Sequence, residues 1–152
     1  MHVFHRRTAL LLGTAALAHS AFPAFAAAAK IATDKSGIAI DGYDTTAYWH
    51  VGAANSGSSA HTVQWLGTPW HFADAETAAQ FEAAPEKYAP QFGGFCTRAM
   101  SFGKVVNGDP EVWRIYQGKL YLFAQPVGGK KFDEGQDPMI EKAQANWDKL
   151  HA

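Results

Sequence analysis

The chain has 152 residues, 47% of them hydrophobic and 18% charged, the balance of a single soluble globular domain. Its 13 basic and 14 acidic residues form no basic stripe, which leaves no electrostatic reason to bind nucleic acid or anionic lipid.

The first predicted element is an export signal over residues 1–26. His5-Arg6-Arg7-Thr8 supplies a basic region, Ala9 to Ala18 an apolar run, and Ala24-Phe25-Ala26 a small-residue cleavage pattern. The adjacent arginines suit the twin-arginine route, although a general export signal also needs basic residues and no Phe follows the pair at the usual offset, and the implied destination is periplasmic. The apolar run is too short to span a bilayer, and no later stretch reaches the roughly 18 apolar residues a span needs, so no stable membrane anchor is expected after cleavage. Cleavage near Ala26 removes Arg6 and Arg7 from the 13 basic residues and leaves 11 against 14 acidic ones, a mildly acidic domain. Cys96 is the only cysteine. In an oxidising compartment it cannot close an intramolecular disulfide, so it is a packing residue, a ligand or a reactive thiol.

Residues 27–36 read as a flexible lead, and residues 37–152 as one domain. Ile38–Ile40 predicts a short strand, Asp41-Gly42-Tyr43-Asp44 a turn, and Ala47-Tyr48-Trp49-His50 a second extended piece. Gly52 to Ser59 has no periodicity and reads as a mobile loop. His61 to Trp65 alternates with period two, Leu66-Gly67-Thr68-Pro69 interrupts it, and Trp70-His71-Phe72 resumes it, which predicts a hairpin with a four-residue loop. Trp70 and Phe72 then share one face and His71 takes the other. Asp74 caps a helix running to about Ala83 with Phe81 inward, Pro85 starts a further turn with Tyr88 inward, and Pro90 stops it.

Gly93-Gly94 opens backbone conformations closed to other residues. If Phe95 to Met100 is helical, Cys96 and Met100 lie on one face. Val112–Tyr116 and Lys119–Phe123 predict a second hairpin around Gln117-Gly118, with Leu120 and Leu122 on one side and Tyr121 and Phe123 on the other. Gly128-Gly129-Lys130-Lys131 reads as a solvated loop. Asp137 caps a closing helix with the stripe Ile140, Ala143, Trp147 and Leu150. Hairpins separated by helices, without regular strand–helix–strand alternation, predict an α+β fold: a small antiparallel sheet of hairpins packed against two or three helices. No internal repeat is read from the chain.

Trp65-x-Gly67-x-x-Trp70-x-Phe72, followed by Phe81 and Pro85-Glu86-Lys87-Tyr88, resembles the YHS domain family, related to treble-clef-like TRASH metal-binding modules. Gly42-Tyr43-Asp44, Ala47-Tyr48, Tyr88 to Cys96 and Trp113 to Leu122 extend the resemblance to exported, single-domain YHS proteins. Metal-handling YHS modules place a cysteine directly after the aromatic strand and another one helical turn later. Those positions here are Ala73 and Thr77, neither a ligand for a soft metal. The resemblance therefore implies the fold while leaving the usual metal site unfilled.

The sharpest site hypothesis is a transition-metal centre, copper above all, using Cys96, Met100, His71 and His50, because thiolate and thioether suit Cu(I) and imidazole suits several metals. His61 is a further imidazole in reach of this scheme. A second hypothesis makes Cys96 a nucleophile with His71 or His50 as base and Arg98 lowering the thiol pKa. A third is a small-ligand pocket or a protein-interaction surface made by Trp49, Trp65, Trp70, Phe92 and Phe95, residues that equally well form a core. Taken together the residues favour a non-enzymatic binding protein for a metal ion or small ligand near Cys96.

Overall fold

The structure, a computed structural model, describes residues 27–152. The export signal expected over residues 1–26 lies outside them. The fold is α+β. Strand β1 (Ser58–Trp65) pairs antiparallel with β2 (Thr68–Phe72), and β3 (Asp109–Tyr116) with β4 (Lys119–Phe123), giving two separate two-stranded sheets. Each hairpin turns on two residues with positive φ, Leu66-Gly67 (49° and 72°) and Gln117-Gly118 (49° and 71°). That is the turn geometry whose twist matches the flanking strands, so Thr68 and Pro69, expected in the loop, belong to β2.

Around the hairpins lie α1 (Ala47–His50), α2 (Ala75–Ala83), α3 (Pro85–Tyr88), α4 (Thr97–Ser101), α5 (Pro126–Asp133) and α6 (Gln136–Leu150). Asp74 caps α2 as the sequence predicts: its carboxylate accepts from the Thr77 amide at 2.8 Å, while the Asp74 amide donates to Thr77 Oγ1 at 3.4 Å. None of the helices among the described residues is long and apolar enough to cross a membrane.

Further local expectations differ from the structure. α6 starts at Gln136 after Gly135, so Asp137 lies in its first turn rather than at its cap, and Ser58 and Ser59, expected in a loop, begin β1. Ala47–His50 is helical because buried Asp44 accepts from both the amide and the hydroxyl of Thr46, at 2.9 and 2.7 Å, and so winds the chain into a turn. Ile38–Ile40 contributes only a bridge between Thr33 and Ala39 before a 3-10 turn at Ile40–Gly42. The lead is built into the core from Ile31, and the Ala32 amide donates to Gly93 O at 2.8 Å. Gly128 and Gly129 are buried in the middle of α5 rather than in a solvated loop. A Cβ at Gly128 would lie 3.1 Å from Phe123 Cβ, and one at Gly129 would lie 3.0 Å from the Arg114 guanidinium, so glycine there lets the helix sit close on its hairpin.

The largest departure is that the chain repeats itself. Trp65, Gly67, Trp70, Phe72, Ala73 and Phe81 have counterparts 51 positions on, at Tyr116, Gly118, Tyr121, Phe123, Ala124 and Phe132. The strands match end for end, and the same register irregularity falls between Ser58 and Thr62 and between Asp109 and Trp113. Rings of Trp65, Trp70 and Phe72 sit 5.8, 4.9 and 4.8 Å from Phe81; those of Tyr116, Tyr121 and Phe123 sit 5.9, 5.2 and 5.2 Å from Phe132. From Ile40 to Asp44 the offset is 52, and from Asn55 on it is 51. Ile40, Asp41 and Gly42 are three consecutive residues with positive φ, and so are Phe92, Gly93 and Gly94. The Gly57 amide donates to Gly42 O as Gly108 does to Gly94 O; the Asp44 amide donates to Asn55 O as Cys96 does to Val106 O. Two units of one design, Ile40 to Ala83 and Phe92 to Asp133, thus make up the fold, with α3 between them and α6 closing the second.

The units share a strand. Leu120 and Leu122 of β4 enter the cluster of Tyr48, Trp70, Phe72 and Phe81, while Tyr121 and Phe123 enter a second cluster with Phe92, Met100, Phe132 and Ala143. Every side chain of β4 after Lys119 is therefore buried, as the predicted alternation requires. Tyr48 ties the first unit to β3 by donating from its hydroxyl to Pro110 O at 2.8 Å, and burial pushes its phenol pKa far up.

Candidate functional site

Cys96 stands at the structural position that Asp44 holds in the first unit, and the two corners differ chemically. Asp44 is buried, and besides Thr46 it holds the amide of Ala73, which donates to Oδ2 at 2.9 Å. Its carboxylate thus closes the gap between the α1 turn and the end of β2. Cys96 is 5% exposed and caps α4, its sulfur accepting from the Ala99 amide at 3.4 Å. The shorter thiol makes no bond to Ala124, the counterpart of Ala73. Among the described residues no side chain accepts from the Ala124 amide.

The capping residues of the following helix change as well. Asp74 and Thr77, which cap α2, become Gln125 and Gly128 at the start of α5, where no side-chain cap is made. The Thr77 amide holds the Asp74 carboxyl below the usual carboxylate range. At the second corner two carboxylates and a hydroxyl have been replaced by a thiol, an amide and a glycine.

At this corner lies an open cleft of about 380 Å³ between α4 and the start of α5, with Cys96, Ala124 and Gly128 among its walls. Among the described residues, Arg98 and Lys104 are its only ionisable lining residues besides Cys96, and both carry positive charge. Three of its lining side chains are apolar and exposed: Phe102 is 68% exposed, Val127 45% and Val106 44%. The Arg98 guanidinium lies over the Phe102 ring at 5.6 Å, a cation–π contact that fixes the cation at the rim. The platform beneath is firm, because Asn146 Nδ2 of α6 donates to Met100 O at 2.9 Å and Met100 is fully buried.

Of the residues singled out from sequence, Cys96 and Met100 come together in the second core cluster. His50 and His71 lie on first-unit elements. His50 is exposed, its ring 5.9 Å from that of Tyr88. His71 is half-buried on the face of β2 opposite Trp70 and Phe72, with Nδ1 beside Gly42. Among the described residues no group of three or more His, Cys, Asp or Glu is placed to hold a metal ion. Trp70 is fully buried and Phe92 and Phe95 nearly so, all in the two core clusters, while Trp49 and Trp65 pack partly buried against the first.

No family model, curated protein or solved structure matches the chain. The chemistry of the cleft must therefore speak for itself.

Reading Cys96 as the centre finds one wall of this cleft but misses Lys104, Phe102, Gln125 and Val127. The signal for Gln125 and Val127 is the repeat, while Phe102 and Lys104 lie outside its matched stretch. Laying Trp65–Phe81 over Tyr116–Phe132 shows which residues have lost their acidic or hydroxyl counterparts.

Proposed function

We propose that this domain is a non-enzymatic binding protein whose Cys96 cleft takes a small organic ligand with an apolar body and a negative charge. The observation that carries the reading is the coincidence of an open cleft, two cations and three exposed apolar side chains at one place. Exposed apolar side chains scattered singly need no explanation, but a group of them around a concave, positively charged site is the surface expected for ligand recognition. Export to the periplasm and kinship with the YHS modules remain part of this proposal, and neither bears on the choice of ligand.

The anionic, aromatic dye anilinonaphthalene sulfonate tests it. The wild type is expected to bind the dye saturably with enhanced fluorescence, and the Arg98→Gln/Lys104→Gln and Phe102→Ser variants to bind it at least about tenfold more weakly, the scale of one charge-assisted contact. Val51→Ser and Leu66→Ser, at exposed apolar positions of the first unit, should leave binding unchanged. Absence of saturable binding, or equal loss in all variants, would overturn the reading.

A second reading keeps a soft metal, because Cys96 and Met100 are four residues apart and share a cluster. Stoichiometric uptake of Cu(I) by the wild type and none by Cys96→Ala would support it; no uptake by the wild type would end it.

A further inference from the structure

The repeat lets the first unit serve as an internal template for what the second unit binds. We infer that the charged group of the ligand is a carboxylate, seated in the cleft where the first unit carries the side-chain carboxylate of Asp44. This rests on the cleft being a ligand site, and adds the class of ligand and the place of its head group.

Asp44 and Cys96 are anchored alike, their amides donating to Asn55 O at 2.8 Å and Val106 O at 2.7 Å. From that anchor Asp44 reaches across to the amide of Ala73, one oxygen on the turn side and one on the strand side. Cys96 keeps only the turn-side contact, to Ala99. The matching strand-side residue, Ala124, is among the residues of the cleft wall, and Cys96 makes no bond to its amide. A free carboxylate entering from solvent has the shape and charge of the missing group, and Arg98 and Lys104 stand at the rim to meet it. In the first unit the neighbouring groups are themselves acidic, Asp74 and Glu76, which suits a carboxylate already built in and would repel a second. At the matched positions of the second unit stand Gln125 and Val127, which carry no charge. The hydrocarbon of the ligand would then lie along Phe102, Val106 and Val127.

In this scheme Cys96 is a spacer: it holds α4 in place while leaving empty the volume that a carboxylate would fill. Restoring the first unit's chemistry should close the site. The test is displacement of anilinonaphthalene sulfonate by octanoate, 1-octanol and octylammonium from the wild type, Cys96→Asp and Gln125→Asp. Octanoate is expected to displace the dye at least about tenfold more effectively than octanol, with octylammonium weakest. Octanoate affinity should fall at least about tenfold in Cys96→Asp, whose thermal midpoint should not drop, since the new side chain can accept from Ala124. Gln125→Asp sits at an exposed helix start, so it tests the same charge logic should Cys96→Asp fold poorly. Octanol matching octanoate, or both acidic variants binding octanoate like the wild type, would overturn the carboxylate seat while leaving the cleft as a ligand site. Dye binding absent from the start would remove both.

Discussion

The Asp44 corner and the Cys96 corner are the same backbone solved twice. In the first unit a buried carboxylate bonds across the gap and a capping box starts the helix. In the second, with the two anchoring backbone hydrogen bonds kept, a thiol makes no bond across the gap and the helix start has no side-chain cap. The difference teaches that the second unit gives up side-chain acceptors that stabilise a closed corner and acquires a cleft in their place. Such local loss of consistency is where function is sought in an otherwise consistent fold.

The first way to break the comparison is to remove the keystone ring from each unit. Phe81→Ala and Phe132→Ala should each cost about 3–5 kcal/mol in urea denaturation, because both rings are essentially fully buried against three aromatic neighbours. A cost confined to one of them would mean that the units are alike in outline but not in how they are held. Next in size, Asp44→Asn should cost about 1.5–3 kcal/mol, since a charged acceptor of three hydrogen bonds is lost in a buried place. The third change goes the other way. Gln125→Asp gives α5 the cap that α2 already has and should stabilise by about 0.5–1 kcal/mol.

The smallest effect is in the pH dependence. Asp74 has a depressed folded-state pKa, so its contribution is complete above the unfolded value of 3.8 and is lost as pH falls through the lower folded one. Stability of Asp74→Asn measured below pH 4 should therefore fall less steeply than that of the wild type. Arg114 holds the Asp133 carboxyl down in the same sense through a pair of 2.8 Å bonds, so part of the acid sensitivity should remain in that variant.

Much of this fold is legible in the chain. Alternating aromatic residues mark both hairpins, Asp74 and Pro85 mark helix starts, and the Leu120/Tyr121/Leu122/Phe123 alternation marks a strand with two buried faces. Local signals mislead where tertiary contact decides. Gly128 and Gly129 look like loop residues until Phe123 and Arg114 are placed against them. Tyr48 and Trp49 look like strand residues until the Thr46–Asp44 turn is formed. Cys96 draws attention as the lone thiol, yet nothing local distinguishes it from packing. Its meaning comes from a residue 52 positions earlier, and the repeat that links them is masked because Trp65 and Trp70 have become tyrosines and the surface residues have diverged.

Sharing β4 has a consequence for how the molecule comes apart. Its odd and even side chains belong to different clusters, so pulling the second unit away would strip Leu120 and Leu122 out of the first. Neither repeat is a stand-alone module, and the pair should melt in one cooperative transition, unlike a string of beads in which each bead can loosen alone. An event at the wall of the cleft, one residue beyond Phe123, is therefore registered by the whole body.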